Sequence, residues 1–154
     1  MKIACTVNGQ KVKLEVRPDE MLLDVLRNKL HLTSVRATCG MGICGACTAL
    51  INGEPISTCI YLAPLADSTA ITTIEGLGGD HPIQQAFEEE HAFQCGYCTP
   101  AMILTAKALL EENPHPTDDE IKQALGGNLC RCGCYSKIIN AIKKAGVAYE
   151  TCNV

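Results

Sequence analysis

The sequence predicts an α+β protein in which a small sheet-forming part precedes a bundle of four short helices. Three observations carry this. Before position 75, apolar and polar residues alternate in runs separated by Asn-Gly pairs. Beyond position 80, apolar residues recur at helical spacing. Between the two patterns, Gly76, Gly78 and Gly79 interrupt either periodicity, which makes 76–80 the linker candidate. We place the division at 1–76 and 77–154. Parts of this size bury modest cores, so a staple from metal or disulfide is expected.

The elements follow in order. Ile3, Cys5 and Val7 alternate with polar or small residues, and Val12, Leu14 and Val16 do so again after Asn8-Gly9. That is a hairpin signature, because Gly tolerates the positive φ of a tight turn. Pro18-Asp19 offers a helix start, and Leu22, Leu23, Leu26 and Leu30 form a short stripe. Asn52-Gly53 separates Thr48–Ile51 from Ile56–Thr58, a second strand pair. Ala70–Ile74 reads as the last strand. In the second part Pro82 suits a first helical turn, with Ile83, Ala86 and Phe87 inward. Thr99-Pro100 has the order of a cap followed by a first-turn proline, ahead of Met102, Ile103, Ala106, Leu109 and Leu110. Thr117 and Glu120 have capping-box spacing. Ser136 is placed to cap a final helix carrying Ile138, Ile139, Ile142 and Ala145.

Composition narrows the function classes. The formal charge of −4 argues against a basic nucleic-acid surface. A 47% hydrophobic and 19% charged chain is not globally disordered. No apolar run approaches a membrane span, and the N-terminus lacks the long apolar core of a signal peptide. A cytoplasmic, reducing compartment is therefore expected. There, eleven cysteines point to metal or redox chemistry rather than a disulfide framework, and an odd count cannot pair internally.

Eight of the eleven form two groups. Cys39, Cys44 and Cys47 are spaced by four and then two residues, and Cys59 follows beyond the second strand pair. This is the plant-type ferredoxin spacing for a [2Fe-2S] cluster. Three thiolates can come from one short loop only if its backbone wraps closely round the inorganic core, which Gly40, Gly42 and Gly45 permit. Inward N–H groups would offset the negative charge. A zinc site or buried structural thiols is the competing reading, which three thiols threaded by glycines fit poorly. The second group is Cys95 and Cys98 with Cys130 and Cys132. Cys98 and Cys132 precede expected helix starts, whose N–H groups favour thiolates. Alone, this second pattern suits zinc as well as an iron–sulfur cluster.

Together the groups resemble the small iron–sulfur subunit of the molybdenum hydroxylases, the xanthine dehydrogenase and aldehyde oxidoreductase family. The resemblance runs through CGMGICGACTALINGEPISTC at 39–59, ITTIEGL at 71–77, QCGYCTPAM at 94–102, ENPHPTDDEI at 112–121 and GGNLCRC at 126–132. It implies a β-grasp, plant-type ferredoxin-like domain and a four-helix domain, each holding one [2Fe-2S] cluster. It also implies partner subunits carrying molybdopterin and FAD, in a heterotrimer or its dimer. The chain would then relay electrons between them during oxidation of xanthine or a related N-heterocycle, with no catalytic residue of its own. Gln94 would contact the pterin. Two positions depart from the family pattern: Ala101 stands for a usual Gly, and Gly133-Cys134 for Thr-Gly. A freestanding two-cluster ferredoxin and a zinc-stabilised interaction module are the alternatives.

The remaining residues have plainer readings. Cys5 is expected in the core, Cys134 as a small buried apolar residue or an extra ligand, and Cys152 exposed near the end. His31, His81, His91 and His115 share no spacing and suit surface or capping roles. Glu88-Glu89-Glu90 reads as a solvated helix face, and Lys143-Lys144 as complements to a helix C-terminus.

Overall fold

A computed structural model describes the backbone of residues 1–152 and the side chains through residue 149. Strands β1 (Lys2–Val7) and β2 (Gln10–Glu15) pair antiparallel, in a register running from Lys2 opposite Glu15 to Val7 opposite Gln10. The turn between them has positive φ at both Asn8 (49°) and Gly9 (79°), the geometry that matches the twist of the flanking strands. Ile3, Cys5 and Val7 are buried on the inner face, so the alternation read from sequence and the core role of Cys5 both hold.

Beneath the sheet runs a short helix α1 (Leu22–Asp24), which widens into a π turn at Val25–Lys29. Leu22, Leu23, Val25 and Leu26 are its buried face. Strands β3 (Thr48–Ile51) and β4 (Glu54–Ser57) form the second hairpin. β5 (Ala70–Thr72) completes a mixed sheet of order β2-β1-β5-β3-β4, parallel to β1 and antiparallel to β3. The last strand is shorter than expected. At Thr73 the backbone N–H donates to Asn8 Oδ1 (2.9 Å), so the ladder ends there and Ile74–Leu77 form a 3-10 turn.

Four helices follow: α2 (Pro82–Glu89), α3 (Thr99–Glu112), α4 (Asp118–Ala124) and α5 (Tyr135–Cys152). His81 caps α2 with its ring nitrogen, and Thr117 and Glu120 make the expected box at α4. Two starts differ from expectation. α3 opens on Cys98, whose carbonyl takes the Met102 N–H (3.1 Å), so Thr99 is already helical. α5 opens on Cys134, whose carbonyl takes the Ile138 N–H (3.0 Å), so Ser136 lies inside the first turn. Both helices thus grow directly out of cysteine loops. Lys143 and Lys144 sit in mid-helix and not at its end. Lys143 pairs with Asp118, and Lys144 with Glu89 and Glu90.

The buried residues gather into two cores. One joins the inner sheet face to Leu22, Val25, Leu26 and Val35. The other joins Phe87, Met102, Ile121, Ile138 and Ile142. α3 packs against the second core and also against β3. That double contact explains why Ala101 through Ala106 are buried in unbroken succession, which no one-sided helix would show.

Candidate metal centres

The loop between α1 and β3 carries Cys39, Cys44 and Cys47. Its thiols neighbour one another two by two: Cys39 lies beside Cys44, and Cys47 beside Cys59. The hairpin makes the second pairing. Thr48 lies opposite Ser57, and the buried Thr58 hydroxyl donates to the Cys47 carbonyl (2.7 Å), which draws Cys59 beside Cys47. Backbone N–H groups of Cys44 and Met41 reach Cys39 Sγ at 3.5 Å. They, with the Ile43 N–H, bring the Cys39 thiol down to about 6. Burial, then the Cys47 thiol, raises Cys59 to about 11. Cys59 therefore needs a cation beside it to ionise, while Cys39 is already prepared as an anion.

The second set repeats this plan. Cys95 lies beside Cys132, and Cys98 beside Cys130. Cys95 is lowered by the Tyr97 backbone N–H and then by Cys132. Burial raises Cys98 to about 12, with Cys130 adding to the effect. At Cys130 burial acts upward, but backbone N–H groups of Cys134, Cys132 and Gly133 and the Cys98 thiol outweigh it, so the net direction is down. Tyr135 Oη accepts the Cys130 N–H at 2.8 Å and fixes the loop where α5 begins.

Among the described residues, no three His, Cys, Asp or Glu side chains converge closely enough for a single ion. Four thiols in two pairs, with amides turned toward sulfur, instead suit a core of two irons, each taking two thiolates. The eight cysteines named from the sequence thus lie in two neighbouring groups, Cys39, Cys44, Cys47 and Cys59 in one and Cys95, Cys98, Cys130 and Cys132 in the other. Gln94 is exposed and donates Nε2 to the Cys132 carbonyl (3.3 Å). Cys134 is buried, as its plainer reading held, and its thiol is raised by burial and then by Cys130. The Cys152 side chain lies outside the described residues.

The two loops touch each other. Leu129 N–H donates to the Cys44 carbonyl at 2.9 Å, one residue before Cys130. Gly45 approaches Gly127 so closely that a Cβ there would lie 2.1 Å from the Gly127 carbonyl. Its φ of +65° also disfavours any other residue. Tyr97 Oη lies 3.3 Å from both Thr38 Oγ1 and the Ala37 carbonyl, and Arg36 stacks over its ring. A cleft of about 440 Å³ runs between the sets, bounded by Cys44, Cys95, Tyr97, Cys98, Cys130 and Tyr135. Sequence reasoning missed Asn128, Leu129 and Tyr97 as members of this junction. Asn128 alone carried a signal, a polar residue two places before a ligand candidate.

Residues 5–70 match the model of a 2Fe-2S iron-sulfur cluster binding domain, and residues 73–143 that of a [2Fe-2S] binding domain. The chain is 51% identical over 146 residues to the nicotinate dehydrogenase small FeS subunit of Eubacterium barkeri, covering 93% of each. It is 47% identical over 138 residues to a subunit of a probable xanthine dehydrogenase of Bacillus subtilis, covering 88% of this chain and 80% of that one. Among solved structures, a chain of quinoline 2-oxidoreductase from Pseudomonas putida 86 superposes with TM-score 0.94 at 41% identity, covering 100% of this chain and 98% of that one. The aldehyde oxidoreductase of Desulfovibrio desulfuricans gives TM-score 0.93 at 39% identity, covering 97% of this chain and 17% of that one.

Proposed function

The chain belongs to the iron–sulfur small-subunit family of the molybdenum hydroxylases and holds two [2Fe-2S] clusters, and from that premise we propose that it is the electron-transfer subunit of such an enzyme. Residues 1–76 form a β-grasp, ferredoxin-like domain, and residues 77–154 form the four-helix domain. Cys39 with Cys44, and Cys47 with Cys59, bind the two irons of the first cluster. Cys95 with Cys132, and Cys98 with Cys130, bind those of the second. Each cluster, when bound, supplies storage for one electron. The chain's own work is to hold the thiolates, to aim amide N–H groups at them, and to keep the two loops in contact.

The single observation that carries this reading is the pairing of eight thiols into two sets on loops joined by the Leu129–Cys44 hydrogen bond. The surface supports partners on both sides. Met41, Ile43 and Ile60 stand exposed around the first set, and Phe93 and Leu129 around the second. Such apolar exposure marks protein contacts. The expected partners are a large molybdopterin-binding subunit, beside Gln94 and the second set, and an FAD-binding subunit beside the first set, in the cytoplasm. Nicotinate and quinoline, named in two relatives, are N-heterocycles, which supports xanthine or a related heterocycle as the substrate of the whole enzyme.

Affinity purification of the tagged full chain from its native cell tests this. A flavin-bearing chain and a molybdopterin-bearing chain should copurify, and the complex should oxidise an N-heterocycle. A chain that purifies brown but alone, and passes electrons without partners, would replace the proposal with a freestanding ferredoxin.

A further inference from the structure

Asn128 is a buried polar residue at the meeting of the two cysteine loops, and neither ligand set uses it. The residue is only 5% exposed, and its side chain's bonding is directional at both ends. Nδ2 donates to the Gly45 carbonyl (3.2 Å) and to Thr48 Oγ1 (3.3 Å). Oδ1 accepts from Thr105 Oγ1 (3.0 Å), so the amide faces a fixed donor in α3. Its own backbone N–H donates to the Leu125 carbonyl (2.8 Å). One side chain therefore ties the first cysteine loop, strand β3, helix α3 and the second cysteine loop together.

Its place in the chain gives this tie its consequence. Gly45 directly follows Cys44, and Leu129, which donates to the Cys44 carbonyl, directly precedes Cys130. Asn128 thus pins the residue next to Cys44 while its own neighbour bonds Cys44 itself. The Gly45 carbonyl also accepts from the Thr48 N–H and hydroxyl, which leaves it little freedom to follow a displaced partner. Tyr97 makes a second link between the loops, but at the exposed rim. A leucine at 128 would bury comparable area. What an amide adds is direction, because a buried amide is stable only where its partners stand in the right places.

We infer that Asn128 is a positioning residue that fixes how the two cluster-binding loops face each other, and so sets the coupling between the two centres. The inference rests on the two-cluster reading above.

The test uses the full holo chain, reduced anaerobically with dithionite, in three forms: unchanged, Asn128→Leu and Thr105→Val. The readouts are iron content, the midpoint potential of each centre, and low-temperature EPR with its spin–spin splitting between centres. The unchanged chain should show two signals that split one another. Both variants should keep about four irons per chain. They should also keep both signals at near-native potentials while the mutual splitting is lost or altered. Thr105→Val removes one hydroxyl at nearly constant volume, so it carries the test if Asn128→Leu does not accumulate. Native splitting in a variant that retains both centres would overturn the inference and leave the two-cluster reading standing. A single signal from the unchanged chain would overturn both.

Discussion

A thiol's ease of ionisation here follows from its few nearest atoms. Cys39 and Cys59 belong to one set yet differ from about 6 to about 11, because one faces backbone N–H groups and the other faces the core. Removing a deep ligand should therefore abolish its own centre and spare the other. Cys98→Ser is expected to lower iron from about four to about two per chain, with the first centre's EPR signal unchanged. Gly45→Ala should be among the most damaging single changes, at more than about 2 kcal/mol in denaturant unfolding, since its methyl would meet the Gly127 carbonyl. One contributor to the acid limb is a carboxylate away from the cysteines. Glu20, nearly buried, accepts from Lys29 Nζ (2.9 Å) and the Arg17 N–H (3.0 Å), and these hold its carboxyl below the usual range. A depressed folded pKa stabilises above the unfolded value and is lost as pH falls through the folded one. Glu20→Gln should cost about 1 kcal/mol at neutral pH and flatten the acid decline of stability, read by thermal melts across pH.

The elements show which sequence signals reach structure and which do not. Alternation flanking Asn8-Gly9 and Asn52-Gly53 marks both hairpins, because turn chemistry and burial pattern agree there. The box at Thr117 holds for the same reason. Ile74 falls outside the last strand because a long-range partner, Asn8, ends the ladder, and no local pattern encodes that. Thr99 and Ser136 look like caps locally, but the cysteine loops start both helices earlier. The eight ligand candidates are legible because their spacing is itself the chemical constraint. Asn128 is legible only as a polar residue near a ligand candidate, since its partners Gly45, Thr48 and Thr105 lie far from it in sequence. Gly146 in α5 sets propensity against packing. Alanine should gain about 1 kcal/mol in helix propensity. Its methyl, however, would lie 2.2 Å from the Pro114 carbonyl. Overpacking of that kind costs about 1–3 kcal/mol, so Gly146→Ala should show net destabilisation in urea.

At the scale of the molecule, two modest cores are joined by an interface where the two cysteine loops also meet. The staple that small cores call for is then the redox machinery itself. Eight thiolates and two oxidised cluster cores would take the formal charge from −4 to about −8. Stripping the iron should therefore lower the melting temperature and open the 39–47, 94–98 and 128–134 segments to protease before the sheet, as limited proteolysis of the holo and apo chains would show. Among the described residues no helix is long and apolar enough to cross a membrane. The central claim is that this chain carries two distinct one-electron centres on eight named cysteines. An anaerobic redox titration of the purified chain, followed by EPR with parallel iron analysis, tests it most directly. Two signals appearing in two one-electron steps, with about four irons per chain, are predicted. A colourless protein holding zinc, or one signal with about two irons, would contradict it.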